Sequence, residues 1–522
     1  MEPSRRQILE AGIVGALALG AGCERQAPAA AAARGEIAAG GRPDVELSLR
    51  ATRAHVMIDP AGRRLTNVLR YEGARRAGSP TALSGSDNGY LGPTLRLRRG
   101  QRLRVQFENA LDEPSIVHWH GLDVAEENDG HPRFAVGAGE RRQYDFAIDN
   151  RPGTYWYHPH PHGRTGYQVH AGMAGLLLVT DGDDVARGLP ASEFDLPLVI
   201  QDRIIGSDGE LVYAPNPMLG FLGDRIVVNG RADASFDVKA GSYRLRLLNG
   251  SNSRIYKLAW SDGSPMTVIG TDGGLIAAPT ARRYVMLGPG ERIEIWADFG
   301  RAPKGPEAWL ESHAFTAAGG MGGGIMGGGM MGGGMMGGRG SAASPLANGA
   351  AFRVCRFAVS GKGRALTLPS QLSPPEWRSA EEVANRDNPR RFTVSMAMMR
   401  WLLNGQSFEM MEVAENERIK LGVTEDWEFW NAGMMAMAHP IHVHGGQFQV
   451  VERAVSPAWK AAADTMSEGL VDDGWKDTFL LRPGERVRIR VRFARHPGLF
   501  LYHCHNLEHE DMGMMRNFRV EA

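Results

Sequence analysis

Eight of the chain's sixteen histidines fall into four His-x-His pairs: His118/His120 in "HWHG", His158/His160 in "HPH", His442/His444 in "HVHG" and His503/His505 in "HCH". In an extended strand, residues i and i+2 project from one face, so each pair offers two imidazoles to the same side. Two pairs come from the first part of the chain and two from the last. One such pair arises readily by chance in a surface strand. Four of them, all in strand-like contexts, point to metal binding. Imidazole suits zinc, copper, iron and nickel, so the ring count alone does not choose the metal.

Cys504 narrows the choice. In "HCH" its thiol projects from the face opposite its two flanking histidines, so it can serve one metal while they serve others. His509 and Met514 follow in "HCHNLEHEDMGMM", and His439 opens "HPIHVHG". One thiolate, two imidazoles and a weak axial thioether make the donor set of a blue-copper electron-transfer site. A zinc hydrolase has no need of such a sulfur site wired to a histidine cluster.

The elements that must hold these residues read as strands. "TLRLRRGQRLRVQFEN", "RRQYDFAIDN", "FDVKAGSYRLRLLNG" and "VRIRVRF" alternate apolar and polar residues, with Gly, Pro, Asn and Asp between the runs. Long amphipathic helices are scarce, so the expected class is all-β. "LGPGERIEIWADF" (287–299) and "LRPGERVRIRVRF" (481–493) nearly repeat one another, which suggests related β-domains in series. The 522 residues have room for about three domains. Expected boundaries are 45–182, 190–365 with a Gly/Met-rich insert at 317–345, and 385–522. Basic and acidic residues balance at 59 each, which gives no reason to expect a nucleic-acid partner. Three cysteines are too few for a disulfide framework, and Cys355 in "AFRVCRFAV" reads as a buried free thiol.

Residues 1–44 read as an export signal and an Ala/Gly-rich tether. Arg5 and Arg6 precede a short apolar stretch in "SRRQIL", which resembles the twin-arginine signal. "LGAGC" resembles a lipoprotein cleavage box, making Cys23 a candidate lipid anchor. The expected location is the periplasm or cell envelope.

Together, "HWHG", "WYHPHPHG", "HPIHVHG" and "HCHNLEHEDMGM" resemble the copper motifs of the three-domain bacterial multicopper oxidases, the laccase-like and cuprous oxidases of copper tolerance. The resemblance runs through "GYLGPTLRLRRG" and "YRLRLLNGSNSRIYKL" and so covers nearly the whole chain after residue 45. It implies three cupredoxin-like Greek-key sandwiches and four copper ions. Type 1 copper would take His439, Cys504, His509 and axial Met514. Type 2 would take His118 and His442. The type 3 pair would take His120, His158 and His505 on one ion, and His160, His444 and His503 on the other. Electrons would pass one at a time through Cys504 to the cluster, where four of them reduce O2 to two waters. Asp129 and Glu510 match the positions of proton-relaying acids in relatives. His55, His131, His162, His170, His313 and His496 are expected to be structural or exposed.

The electron donor is left open by these motifs. "GGMGGGIMGGGMMGGGMMGGRG" (319–340) cannot build a core, yet it carries Met321, Met326, Met330, Met331, Met335 and Met336. Met434, Met435 and Met437 cluster just before His439, and Met396, Met398 and Met399 form a third group. Thioether is a soft ligand that selects Cu(I). Exported relatives that oxidise Cu(I) carry a Met-rich insert over the type 1 site, with an aspartate where this chain has Met435. The favoured donor is therefore Cu(I), through the insert methionines together with Met435 and Met437. A laccase acting on phenols is the alternative within the class, Fe(II) is a further candidate reductant, and a non-catalytic copper store is the alternative outside the class. A monomer is expected.

Overall fold

The strand Arg102–Asn109 alternates buried and half-buried residues along its whole length, with Leu103, Val105 and Phe107 inward. Its neighbour Val45–Val56 does the same from Val45 to Ala51. Such strands bury one face only and pair into sheets that must cover each other. The computed structural model describes residues 41–522 except 86–88, 185, 302, 304, 320–345, 375–377, 399 and 433–435. Met321, Met326, Met330, Met331, Met335, Met336, Met399, Met434, Met435, Cys23 and the arginine pair lie outside the described residues.

Six principal sheets close on three apolar cores. A four-stranded sheet (66–77, 45–56, 102–109, 141–147) faces a five-stranded one (83–84, 94–98, 175–180, 153–159, 117–120) across a core that includes Phe107, Trp119, Tyr144 and Tyr157. A seven-stranded and a five-stranded sheet share the second core, around Leu247, Ile295, Trp260 and Phe357. Two five-stranded sheets share the third, around Trp427, Phe429, Ile489 and Phe518. Parallel pairings such as 45–56 with 102–109 sit beside antiparallel hairpins. The all-β expectation holds. Residues Arg42–Ala522 form one compact unit around these cores.

The histidine-bearing strands depart from simple alternation. Val117–His120, Gly153–Pro159 and His439–Val443 are buried at every position. One face of each meets a core through residues such as Trp119, Tyr157 and Ile441, and the other carries His118, His120, His158 and His442, while His439 shares the face of Ile441.

A two-stranded ladder lies apart from the six sheets. Ala318 pairs with Met437 and Gly319 with Ala436, antiparallel. The start of the Gly/Met run is thereby hydrogen-bonded to the segment that leads into His439.

Candidate metal centres

Strand register assembles the first set of imidazoles. His118 stands opposite His158 across an antiparallel ladder, and His442 stands opposite His503 across another. Opposed residues share a face. His160, His444 and His505 follow at or just past the strand ends. Eight imidazoles therefore converge: His118 stacks on His444 with ring centroids 3.9 Å apart, and His120 on His442 at 3.7 Å. All eight are buried.

Several nitrogen pairs approach within the sets that the resemblance implies, while others mix those sets, as in the groups His118/His120/His158 and His118/His442/His444. His118 Nε2 lies 3.4 Å from His442 Nε2. His120 Nδ1 lies 3.4 Å from His158 Nε2. His503 Nε2 lies 3.4 Å from His160 Nε2 and 3.0 Å from His444 Nε2. Two nitrogens bound at about 2.0 Å to one tetrahedral metal stand roughly 3.3 Å apart.

The outer nitrogens are anchored, which fixes tautomer and ring orientation. His118 Nδ1 meets the Asp129 carbonyl at 2.6 Å, and His442 Nδ1 meets the Asp477 carbonyl at 2.8 Å. His444 Nδ1 donates to Asp129 Oδ2 at 2.8 Å. His158 Nδ1 meets the Pro159 carbonyl at 2.9 Å. Asp129 closes a one-turn helix, Glu126–Asp129, that ends on Gly130 at φ +94°. A Cβ at Gly130 would fall 2.5 Å from the Val117 carbonyl, so only glycine lets this turn pack beside His118.

A second group forms on the other face of strand Gly498–Cys504. Cys504 stands opposite Ile441 and points into the third core. Its Sγ lies 3.5 Å from His439 Nδ1 and 3.8 Å from His509 Nδ1, spacings that suit one sulfur and two nitrogens around a single ion. The Asn506 N–H points at the same sulfur at 3.4 Å. Met514 is fully buried in this core, and its carbonyl accepts from the Cys504 N–H at 3.1 Å.

These donors fit a metal. Burial pushes His118, His120, His439, His442, His444 and His505 well below the usual histidine range, and His158 and His509 to about 3. They therefore present neutral lone pairs at neutral pH. Both nitrogens of His505, Nε2 of His439 and Nδ1 of His160 have no hydrogen-bond partner among the described residues. The His505 ring, with neither nitrogen partnered, is costly to bury unless a cation takes a lone pair; the free nitrogens of His439 and His160 are the ones turned away from Cys504 and His503. Burial raises the Cys504 thiol far above its ordinary pKa, so a bound cation is needed to hold it as thiolate.

The two predicted acids reach the cluster. Asp129 is buried, and burial raises its carboxyl well above the usual range, Glu126 adding to the effect. Glu510, on the short helix Leu507–Asp511, places Oε2 3.1 Å from His503 Nδ1 and Oε1 3.5 Å from His160 Nε2. Burial pushes Glu510 up, but the neighbouring imidazoles outweigh it and hold the carboxyl below the usual range.

Four supporting residues carry no motif legible in the sequence. Asp477 Oδ1 and Thr478 Oγ1 each lie 3.1 Å from His120 Nε2, and Arg292 clamps Asp477 with contacts of 2.6 and 2.5 Å. Trp401 packs on both His439 and His509, with ring centroids 4.5 and 5.3 Å away. Of the remaining histidines, His131 and His170 are buried, His55, His162 and His313 are exposed, and His496 is intermediate. Met437 is buried in the third core. Cys355 is a buried free thiol.

An all-β chain with a histidine cluster joined to a Cys-His-His site through one strand defines a copper oxidoreductase. Comparison with known proteins makes this specific. Multicopper oxidase family profiles match residues 69–184 and 382–522. The chain is 30% identical to the laccase of Bacillus stratosphericus, over 84% of this chain and 90% of that protein. It resembles the crystal structure of McoA multicopper oxidase from Aquifex aeolicus, with a TM-score of 0.75 and 33% identity, covering 92% of this chain and 97% of that one. The laccase-like oxidase CueO from Ochrobactrum sp. follows at 0.71 and 29%, covering 91% and 97%. The chain belongs to the multicopper oxidase family. It is an oxidoreductase that uses copper, with O2 as acceptor and a reductant as substrate.

Proposed function

We propose that the chain holds four copper ions on three sandwich domains (45–182, 190–365 and 385–522) and oxidises Cu(I), protecting the cell envelope. The ligand sets are those assigned from the motifs: His439, Cys504, His509 and Met514 at the type 1 site, and the eight convergent histidines at the type 2 and type 3 sites. Bound copper supplies one-electron redox chemistry and the reduction of O2.

The chain's own residues do the rest. Cys504 and its covalent neighbours His503 and His505 place one strand between the two centres, so the sites share a path of a few bonds. Asp129 and Glu510 are the carboxyl groups placed beside His444 and His503 to pass protons toward the cluster. Main-chain carbonyls fix the imidazoles so that little reorganisation accompanies turnover. Packing around the cluster excludes bulk water.

One observation carries the choice of donor: the ladder of Ala318–Gly319 with Ala436–Met437. It tethers the first residue of the 319–340 run three positions or fewer from His439. A string of thioethers starting there suits capture of a soft cation. The relatives named laccase, and the lignin-model-compound activity in the description of the Ochrobactrum enzyme, favour a second reading as a phenol oxidase. Deleting 320–340 separates the two. Loss of Cu(I) oxidation with phenol oxidation kept or raised supports the first reading; equal loss of both sinks it. Export through the twin-arginine-like signal, anchoring at Cys23 and a monomeric state complete the proposal.

A further inference from the structure

The outer edge of His509 is closed by main chain. Its Nδ1 faces Cys504, and its opposite nitrogen, Nε2, donates to the Met218 carbonyl at 3.1 Å. The ring is fully buried. Met218 lies in the connection between strands Asp195–Arg203 and Arg225–Val228. The cover therefore comes from the middle sandwich, not from the one that carries the type 1 ligands.

This cover is a tied loop. The Asn216 side-chain oxygen accepts from the N–H groups of Met218 and Leu219 at 2.8 and 3.1 Å. Asn216 and Gly220 exchange both main-chain hydrogen bonds, at 3.0 and 2.7 Å, with Gly220 at φ +81°. Met218 is thus held at the tip of a closed five-residue loop. Two residues beside His509 pin its flanks. Asn506 Nδ2 donates to the Leu219 carbonyl at 3.2 Å. The buried Glu508 carboxylate accepts from the Phe221 N–H and the Tyr213 hydroxyl, both at 3.0 Å. Hydrogen bonds to a buried carboxylate are among the stronger ones.

We propose that the 216–220 loop determines donor specificity. It denies bulky phenols direct contact with the His509 ring and leaves small inorganic donors as the preferred class, because they need only touch the Met218 surface. Such a donor, for example hexacyanoferrate(II), loses one electron to become hexacyanoferrate(III), with no proton moving and O2 as the final acceptor. The inference rests on His509 as a type 1 ligand but not on Cu(I) as the physiological donor.

The test uses the copper-loaded full chain and two variants, Asn216→Ala, which frees the loop tip, and Tyr213→Phe, which loosens a flank. Deuterium exchange of the Gly220 and Phe221 amide protons, which the Asn216 carbonyl and the Glu508 carboxylate accept, reports on the cover independently of turnover when read by peptide mass spectrometry. Steady-state kcat/KM is measured for 2,6-dimethoxyphenol and hexacyanoferrate(II). In Asn216→Ala, this amide exchange and the phenol kcat/KM both rise about tenfold, while the hexacyanoferrate(II) value stays within about twofold. Tyr213→Phe moves the same way by less. If Asn216→Ala fails to load copper, Tyr213→Phe decides alone. Fast exchange of these amides in the unaltered protein overturns the inference, as does faster exchange in Asn216→Ala with an unchanged phenol-to-hexacyanoferrate ratio. A chain without a blue absorption band would instead overturn the type 1 assignment.

Discussion

Asp129 Oδ2 accepts a hydrogen bond from His444 Nδ1 at 2.8 Å, across 315 residues of sequence. The same residue's carbonyl meets His118 Nδ1. Asp129 therefore orients one imidazole from each end of the chain while its carboxyl is buried among them. Asp129→Asn keeps an oxygen that can accept from His444 but can no longer exchange a proton. The expected result is unchanged copper content with O2 consumption lowered on the order of a hundredfold. Glu510→Gln is expected to act in the same direction. Full turnover with intact copper in either variant removes that residue from the proton path.

Asp477 supports other imidazoles of the cluster, His120 and His442. It holds His120 through Oδ1 and is itself clamped by Arg292, with both partners fully buried. Asp477→Asn leaves the Arg292 charge without its partner, which costs about 3–5 kcal/mol when a buried pair is broken. Copper affinity at the histidine cluster is expected to fall on the order of tenfold to a hundredfold. The blue type 1 band is expected to persist. Copper analysis, the type 2 paramagnetic signal and the thermal midpoint together check this.

Cys504→Ser removes the sulfur and leaves a near-isosteric side chain in the core. The expected protein is colourless, retains copper at the eight-histidine cluster and consumes O2 negligibly with any outer donor. A retained blue band would place the type 1 thiolate elsewhere.

His131 gives a pH dependence outside the metal ligands. Its Nδ1 accepts from the Arg133 N–H, and its Nε2 donates to Asn517. Burial lowers its pKa to about 3. The folded state thus keeps this ring neutral, while the unfolded chain protonates near 6.5. The contribution is fully present above about pH 6.5 and is lost as pH falls towards 3, about 2 kcal/mol by pH 5. His131→Gln is expected to shrink the drop in denaturation midpoint between pH 7 and pH 5. The same drop in both proteins would show that His131 does not contribute.

The fold and the inner ligands were legible because period-two strands put His118/His120 and Cys504/His503 on determinate faces. The near repeats at 287–299 and 481–493 fall on matching strand-turn-strand units in the second and third cores. Asp477, Thr478 and Arg292 were not legible, because their role depends on tertiary contacts across 185 or more residues, and a lone Asp-Thr at the start of a strand carries no pattern. Met218 was hidden for a related reason: it acts through its carbonyl, which every residue possesses. Met437 read as a soft ligand from its position before His439, yet its side chain is packed in the third core, where methionine is also an ordinary filler.

The central claim is tested most directly by O2 uptake of the copper-loaded chain with Cu(I), Fe(II) and 2,6-dimethoxyphenol side by side, with electrons counted per O2. The account expects the highest kcat/KM for Cu(I) and about four electrons consumed per O2, without released peroxide. A phenol preferred over Cu(I) would contradict the assigned donor, and no O2 uptake with any of the three would contradict the assignment of the site.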